Sequence, residues 1–362
     1  MLTQHQAVEY LLDRSLLRPT QVVAGSLVVE DMSRRNCNFR VLADPGPSYL
    51  IKQGPEAVGY GTLHHEALVY RMLEPHYGRH MPRSHGYDAG HRALTLEYLP
   101  DSETVRDTRR RRRAASSRVA WALGAALAEL HELHELPMET FPTRPLHPEA
   151  TPAWGSSIHR PWLSMLADMS EGNLAMIELV QGDQQFSWLL DEVRGDWRDD
   201  AVIHGDLRWD NLLLCPPPDG TRRTRLKLVD WELARVGDAA WDVGAVFGDH
   251  LQDWVNTIPP LADTNPSELA TFARHPIDHA HRATQSFWDS YRRDRRLGVT
   301  ASTLMLHRAV RFAAVRLVQG AYEQAQSKPR LTSSMVLMLQ LSLNMLVRPL
   351  EAASALLGIG DQ

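Results

Sequence analysis

Asp206, Asn211 and Asp230 are the residues whose types and order most directly suggest a reaction. The first two lie in Val202-Ile-His-Gly-Asp-Leu-Arg-Trp-Asp-Asn211 and the third in Leu228-Val-Asp-Trp-Glu232, with the turn-forming Pro216-Pro-Pro-Asp-Gly220 between the two runs. Transfer of a phosphoryl group from ATP needs one carboxylate to orient an acceptor hydroxyl. It also needs oxygen ligands that hold Mg2+ against the triphosphate. An aspartate, an asparagine five residues on and another aspartate just after the next strand supply such a set. A polar hairpin whose Asp and Asn side chains only stabilise turns is the plainer alternative. It leaves two upstream residues unexplained.

Those residues are Lys52 and Glu66. The chain has only three lysines, Lys52, Lys227 and Lys328, so a lysine inside the apolar run Tyr49-Leu-Ile-Lys-Gln53 is informative. Fourteen residues later, Glu66 shares a helical face with Val69, Tyr70 and Leu73, which puts a lone carboxylate on the stripe that should point inward. A strand lysine and an inward helix glutamate can satisfy each other as an ion pair.

The elements that must position these groups follow from periodicity and punctuation. Ser26 to Asp31, Asn38 to Leu42 and Ser48 to Gln53 read as three strands of an antiparallel meander, and Leu63 to Leu73 as the helix that carries Glu66. Ala93 to Leu99 is a further strand ending at Pro100. Asp101 to Arg113 is a charged connector, with the five cations Arg109 to Arg113 expected on a solvated face. From Ser117 to Leu136 the pattern is helical and Pro137 marks its end, with Leu123, Leu127, Leu130, His131 and His134 on one face. At least one helix is expected around Gly172 to Val193, and helices over most of 265–362. The fold class is therefore α+β, with a small N-terminal antiparallel β-sheet lobe bearing a helix (1–100) and a larger, mainly helical lobe (101–362).

His204-Gly205-Asp206, Asn211, Asp230-Trp231-Glu232 and Gly237-Asp-Ala-Ala-Trp-Asp242 together resemble the aminoglycoside phosphotransferase and choline kinase branch of the protein-kinase-like fold. The resemblance covers roughly residues 20 to 250. It implies a two-lobed fold, ATP and Mg2+ as cofactors, Asp206 as the hydroxyl-orienting carboxylate, and Asn211 and Asp230 as metal ligands. It also implies the ion pair of Lys52 and Glu66, which aims the ammonium at the α- and β-phosphates of the nucleotide. Arg208, two residues after Asp206, is placed to steady phosphate charge. His204 is implied to brace the loop. Glu97-Tyr98-Leu99 resembles the segment whose backbone receives adenine. The turn Met32-Ser-Arg-Arg-Asn-Cys-Asn-Phe39 has no glycine, which leaves Ser33, Arg34 or Arg35 to grip the phosphates. Ala239 stands where the family usually has proline.

The acceptor does not follow from the site. The run of motifs is similar to phosphotransferase-like proteins of class V lanthipeptide and thioamitide pathways. That similarity implies a Ser or Thr of a ribosomal precursor peptide as acceptor, with a separate lyase that eliminates the phosphate. The alternatives are a small-molecule hydroxyl acceptor, as in antibiotic, aminoglycoside- or choline-type kinases, and a non-catalytic kinase-like module that binds peptide. Asp249, Asp253, Asp263 and Glu268 are candidates for an acidic pocket suited to a cationic sugar, and solvated helix residues explain them equally well.

Composition closes off other classes. In 362 residues, 39 basic and 44 acidic side chains leave a net charge of −5, which argues against nucleic acid or an anionic membrane as partner. Two distant cysteines, Cys37 and Cys215, suggest neither a disulfide framework nor a thiolate zinc site, and the N-terminus lacks a signal-peptide pattern, so a cytoplasmic location is expected. His131 and His134 lack the spacing of a zinc-protease helix. Trp209, Trp231 and Trp241 are expected to pack in the core and fix the motifs.

Overall fold

Short Val-, Leu- and Tyr-rich runs broken by Pro and Gly make the N-terminal strands, and long 3.6-periodic stretches make the helices behind them. The structure, a computed structural model, describes residues 2–25, 27–33, 37–54, 62–112, 116–133, 153–167, 169–216, 225–259, 273–274 and 277–360. In chain order the elements begin with α1 (Gln4–Asp13), α2 (Pro19–Val23), β1 (Leu27–Asp31), β2 (Cys37–Ala43), β3 (Ser48–Gln53), α3 (Thr62–Tyr77), β4 (Ser84–Asp88), β5 (Ala93–Tyr98), β6 (Glu103–Thr104) and α4 (Val105–Arg112). They continue with α5 (Ser117–His131), α6 (Leu163–Ala167), α7 (Glu171–Gly182), α8 (Gln184–Gly195), β7 (Ala201–Ile203), β8 (Leu212–Cys215), β9 (Arg225–Leu228) and β10 (Arg235–Gly237). The last are α9 (Ala239–Val255), α10 (Asp278–Asp294), α11 (Val299–Ala325), α12 (Ser333–Val347) and α13 (Pro349–Leu357).

The chain divides into two compact units, and the described parts of 1–108 and 210–234 form the first. Its main sheet has strand order β1-β2-β3-β5-β4, with every neighbouring pair antiparallel. The period of two in β3 sends Tyr49 and Ile51 to one face, where they join Ala7, Tyr10 and Leu11 of α1 and Phe39 and Val41 of β2 in a buried cluster. Lys52, paired in register with Asn38 and Leu94, therefore lies on the other face. A small sheet of order β6-β8-β9 completes this unit.

The second unit takes in the described parts of 109–209 and 235–362 and is mostly helical. Helix α9 runs close against α11. A Cβ on Gly244 would come within 2.6 Å of the Ala309 carbonyl oxygen, so only glycine permits that approach. Strands β7 and β10 form a two-stranded pair beside the start of α9.

The helical stretch expected around 172–193 forms as two helices, and two other elements differ from expectation. Asp183 takes an extended conformation and caps α8 through the Phe186 N–H (3.0 Å), which splits the 172–193 stretch into α7 and α8. The charged stretch after residue 100 is not all connector: the Thr104 hydroxyl accepts from the Asp107 N–H at 3.0 Å and starts α4. Helix α5 ends at His131 with its cap at Glu132, earlier than Pro137 suggests, and residues 134–152 lie outside the described residues. Among the described residues, no helix is long and apolar enough to cross a membrane.

Candidate active site

In the first unit the Lys52 ammonium donates to both carboxylate oxygens of Glu66 (2.8 and 3.0 Å) and to Oδ1 of Asp230 (2.8 Å). Glu66, 2% exposed, stays on the inward face of α3. Burial alone would lower the lysine's proton affinity, yet the two adjacent carboxylates hold it above the usual lysine range, so the ammonium stays charged. Burial pushes the Glu66 carboxyl up, and Lys52 opposes that push. The Asp230 side chain is the accessible member of the trio, 37% exposed.

The segment after β9 is fastened so that Asp230 meets Lys52. Asp230 has φ +67° and ψ +62°, a left-handed conformation that aspartate tolerates better than most residues. Directly after it the Trp231 ring is fully buried and meets Tyr77 of α3 edge-on at 5.9 Å. The Ala234 carbonyl is hydrogen-bonded by the His65 ring at 2.7 Å, again from α3. Lys227 of β9, itself buried, donates to the carbonyl of Met81. On the paired strand the Asn211 carbonyl accepts from the Val229 N–H at 3.0 Å, and Leu212 pairs with Leu228. The register thus brings Asn211 opposite the residue preceding Asp230. An amide oxygen and a carboxylate form a hard-oxygen pair suited to Mg2+ or Ca2+, and both ions draw remaining ligands from water and phosphate.

The other nucleotide-side candidates are placed less tightly. The Ser33 hydroxyl accepts from the Asn38 N–H (3.1 Å) and the Ser33 N–H donates to Asp31 (2.8 Å), which closes the turn between β1 and β2. Arg34 and Arg35 lie outside the described residues. Glu97 is in β5, where its carboxylate accepts from the Arg83 N–H (3.0 Å). The Leu99 carbonyl accepts from the Ser102 hydroxyl (2.7 Å) and N–H (3.1 Å).

The second unit holds Asp206. Gly205, at φ +82°, supplies the turn that a side chain would strain. The carboxylate of Asp242, fully buried in the first turn of α9, accepts the N–H groups of His204 (2.7 Å) and Gly205 (3.0 Å). His131 meets the same carboxylate through Nε2 (3.3 Å), and its Nδ1 lies 2.9 Å from the Tyr291 hydroxyl. The Trp241 indole donates to the Gly205 carbonyl (2.8 Å), and the Asp206 N–H donates to the His204 ring (3.4 Å). His204 thus braces the loop through Asp206, as the resemblance implied.

Arg208 donates from Nε to Oδ1 of Asp206 (3.1 Å) and from Nη2 to Oε1 of Glu323 on α11 (3.0 Å). Burial works against the guanidinium charge, but Asp206 and Glu323 outweigh it and hold the pKa above its usual value. Burial would raise the Glu323 carboxyl; Arg316 and Arg208 overrule it and hold the group below its ordinary range.

Two surface expectations are corrected. Asp249 does not line an open acidic pocket: it is buried, accepts the Trp209 N–H (3.2 Å) and pairs with Arg316 (3.5 Å). Asp253 pairs with Arg109 (2.8 Å), whose guanidinium also sits 4.7 Å from the Trp209 ring centroid, so the first residue of the Arg run is paired rather than solvated. Asp263, Glu268 and Arg113 fall outside the described residues. The three tryptophans of the motifs are all buried. Sequence reasoning assigned no role to Asp242, Glu323 or Arg316. For Asp242 a signal was present: a carboxylate inside Ala239-Ala-Trp-Asp-Val-Gly-Ala-Val-Phe247 needs a partner as Glu66 does.

Residues 30–282, well over half the chain, match the phosphotransferase enzyme family (APH). No curated protein matches the sequence at a significant level. Among solved structures, choline kinase from Cryptosporidium parvum Iowa II is similar, with 14% identity, a TM-score of 0.59 and 98% of each chain covered. Amicoumacin kinase hAmiN, in complex with AMP-PNP, Ca2+ and Ami, has 14% identity and a TM-score of 0.55, covering 93% of this chain and 92% of that one. The ethanolamine kinase of Plasmodium vivax has 13% identity and a TM-score of 0.54, covering 93% and 86%. At these identities the likeness is one of fold, and that fold is protein-kinase-like. With the family match spanning both the Lys52 and the Asp206 motifs, the chain belongs to the phosphotransferase enzyme family, enzymes that move a phosphoryl group to a hydroxyl.

Proposed function

We propose that the protein transfers the γ-phosphoryl group of ATP, with Mg2+, to a hydroxyl, and that residues 1–100 bind the nucleotide while 101–362 supply the catalytic, metal-binding and acceptor-binding groups. The observation that carries this reading is the Lys52 ammonium held at 2.8 Å by both Glu66 and Asp230, a cation fixed by one buried and one accessible carboxylate as binding of phosphate requires. Lys52 would draw the α- and β-phosphates, Ser33 would contribute at the phosphate turn, and the Glu97 to Leu99 backbone would receive the base. Asn211 and Asp230 would hold the metal. A bound divalent cation would neutralise charge on the phosphate oxygens as the bond to the leaving group weakens. Asp206 would accept a hydrogen bond from the acceptor hydroxyl and take its proton, and Arg208 would offset negative charge beside it.

For the acceptor we put first a Ser or Thr of a ribosomal precursor peptide, acted on in the cytoplasm ahead of a separate lyase. The support is the combination His204-Gly-Asp-Leu-Arg-Trp-Asp-Asn211 with Val229-Asp-Trp-Glu-Leu-Ala234 and Ala240-Trp-Asp-Val-Gly244. A small-molecule hydroxyl is the second reading, favoured by fold neighbours whose names denote choline, ethanolamine and amicoumacin kinases. The test incubates the protein with Mg·ATP and a panel of Ser/Thr-containing precursor peptides, choline, ethanolamine and aminosugars, read by mass spectrometry. A phosphate gained on peptide alone selects the first reading, and on a small molecule alone the second. Asp206→Asn should abolish transfer in either case while keeping nucleotide affinity; a fully active Asp206→Asn protein removes the role given to Asp206.

A further inference from the structure

The two guanidinium contacts of Arg208 run in different directions, and the second leads to a residue 115 positions away. Its Nε meets Oδ1 of Asp206 at 3.1 Å, while its Nη2 is turned to Oε1 of Glu323 at 3.0 Å. Glu323 also receives Nη1 of Arg316 (3.4 Å), Arg316 reaches Asp249 through Nε (3.5 Å), and Asp249 accepts the Trp209 N–H (3.2 Å). Charges therefore alternate along a chain of contacts that leaves the Asp206 loop at Arg208 and returns to it at Trp209. All of its members lie in the second unit. Guanidinium groups next to a carboxylate favour the two-pronged fork, which engages both carboxylate oxygens at once. A fork of that kind on Asp206 would set the guanidinium against the oxygens that an acceptor hydroxyl must approach.

We propose that Glu323 is a positioning residue for phosphoryl transfer: by holding Nη2 of Arg208 it keeps that guanidinium from closing as a fork on Asp206. The proposal rests on the reading of Asp206 as the hydroxyl-orienting carboxylate. Arg316 anchors Glu323 from the same helix, one side of it already tied to Asp249. The device lets a cation sit beside Asp206 while engaging its carboxylate through Nε alone rather than through both prongs of a fork.

The test measures Mg·ATP turnover by the full chain, with water as acceptor and phosphate release as readout, for wild type, Glu323→Gln, Arg208→Met, the double variant and Asp206→Asn. Glu323→Gln should lower kcat about tenfold with the KM for Mg·ATP within about twofold. In the Arg208→Met background the same change should do nothing further, because no fork remains to be held back. Glu323→Asp, which keeps the charge on a shorter stem, should recover part of the loss, and Glu323→Ala replaces Glu323→Gln should that protein not fold. Losses that multiply in the double variant overturn the proposal. So does a Glu323→Gln protein with wild-type kcat and only a lower Tm, which is what a purely structural ion pair predicts. Asp206→Asn separates the two levels: if it keeps the wild-type rate, the reading of Asp206 fails; if it is inactive while Glu323→Gln is unaffected, only the role of Glu323 fails.

Discussion

Lys52 sits against two carboxylates, and its removal leaves the Glu66 charge where water cannot reach it. In Lys52→Met, Glu66 loses its counter-ion in a site that already pushes its carboxyl above the normal range. A carboxyl raised on folding binds a proton more tightly in the native than in the unfolded chain, so stability falls as pH climbs from the unfolded value through the folded one. The substitution lifts the folded value further. Lys52→Met should therefore lose about 3 kcal/mol at pH 8 and clearly less near pH 5, measured by urea denaturation. An equal loss at both pH values would mean that Glu66 is not the group left unpaired. The same trio shows what is legible one residue at a time. Lys52 and Glu66 stand out because each is the wrong polarity for its stripe, and Asp230 follows a short strand that alternates basic and apolar residues. Glu323 does not stand out, since its partner Arg208 is distant in sequence and Glu is ordinary on a long helix.

At the scale of elements, the start of α9 carries both a cap and a brace. Asp238, fully buried, accepts the N–H groups of Ala240 (2.9 Å) and Arg198 (3.1 Å) and pairs with Arg308 of α11. Burial pushes its carboxyl up to about 6, with Arg308 restraining the rise. Its unfolded value is lower, so the native state holds an extra proton between the two, and the stability it contributes is lost as pH rises through about 6. Arg308→Met removes the restraint. Its loss relative to wild type should be small at pH 4.5, grow as pH rises through about 6 and level off only above the variant's raised value, reaching about 1.4 kcal/mol for each unit that the carboxyl rises, as read from denaturation midpoints. A pH-independent loss would assign the effect to packing alone. Four residues beyond Asp238, Asp242 braces the Asp206 loop, and two residues after that Gly244 admits the α11 backbone. Gly244→Ala places a methyl 2.6 Å from a carbonyl oxygen and should cost about 1–3 kcal/mol, seen as a lower Tm with the Mg·ATP affinity retained. That Asp238 and Asp242 at the start of this helix hold α11 and the Asp206 loop is not legible in the sequence, because both partners arrive from other parts of the chain.

At the scale of the whole molecule, local pattern and nonlocal pairing separate cleanly. The strands 27–31, 37–43 and 48–53 and the helices 299–325 and 333–347 follow from period and punctuation, within a few residues of where they form. The insertion of β5 between β3 and β4 leaves no such mark, since strand order depends on which edges meet rather than on any one strand's composition. The small β6-β8-β9 sheet joins residues more than a hundred positions apart and is equally silent. What links these pieces functionally is testable through ligand linkage, because a ligand that binds only the folded chain stabilises it by about 2.7 kcal/mol at a hundred times its dissociation constant. Mg·ATP should raise Tm by a few degrees, and EDTA should remove most of that gain if Asn211 and Asp230 hold the cation that ties the triphosphate down. Asp230→Ala should abolish the shift, whereas Asp206→Asn should keep it, since Asp206 is assigned to the acceptor and not to the nucleotide. A full shift that survives EDTA, or one unchanged by Asp230→Ala, would detach the metal from these two residues and leave the grip on the phosphates to Lys52, Glu66 and the phosphate turn.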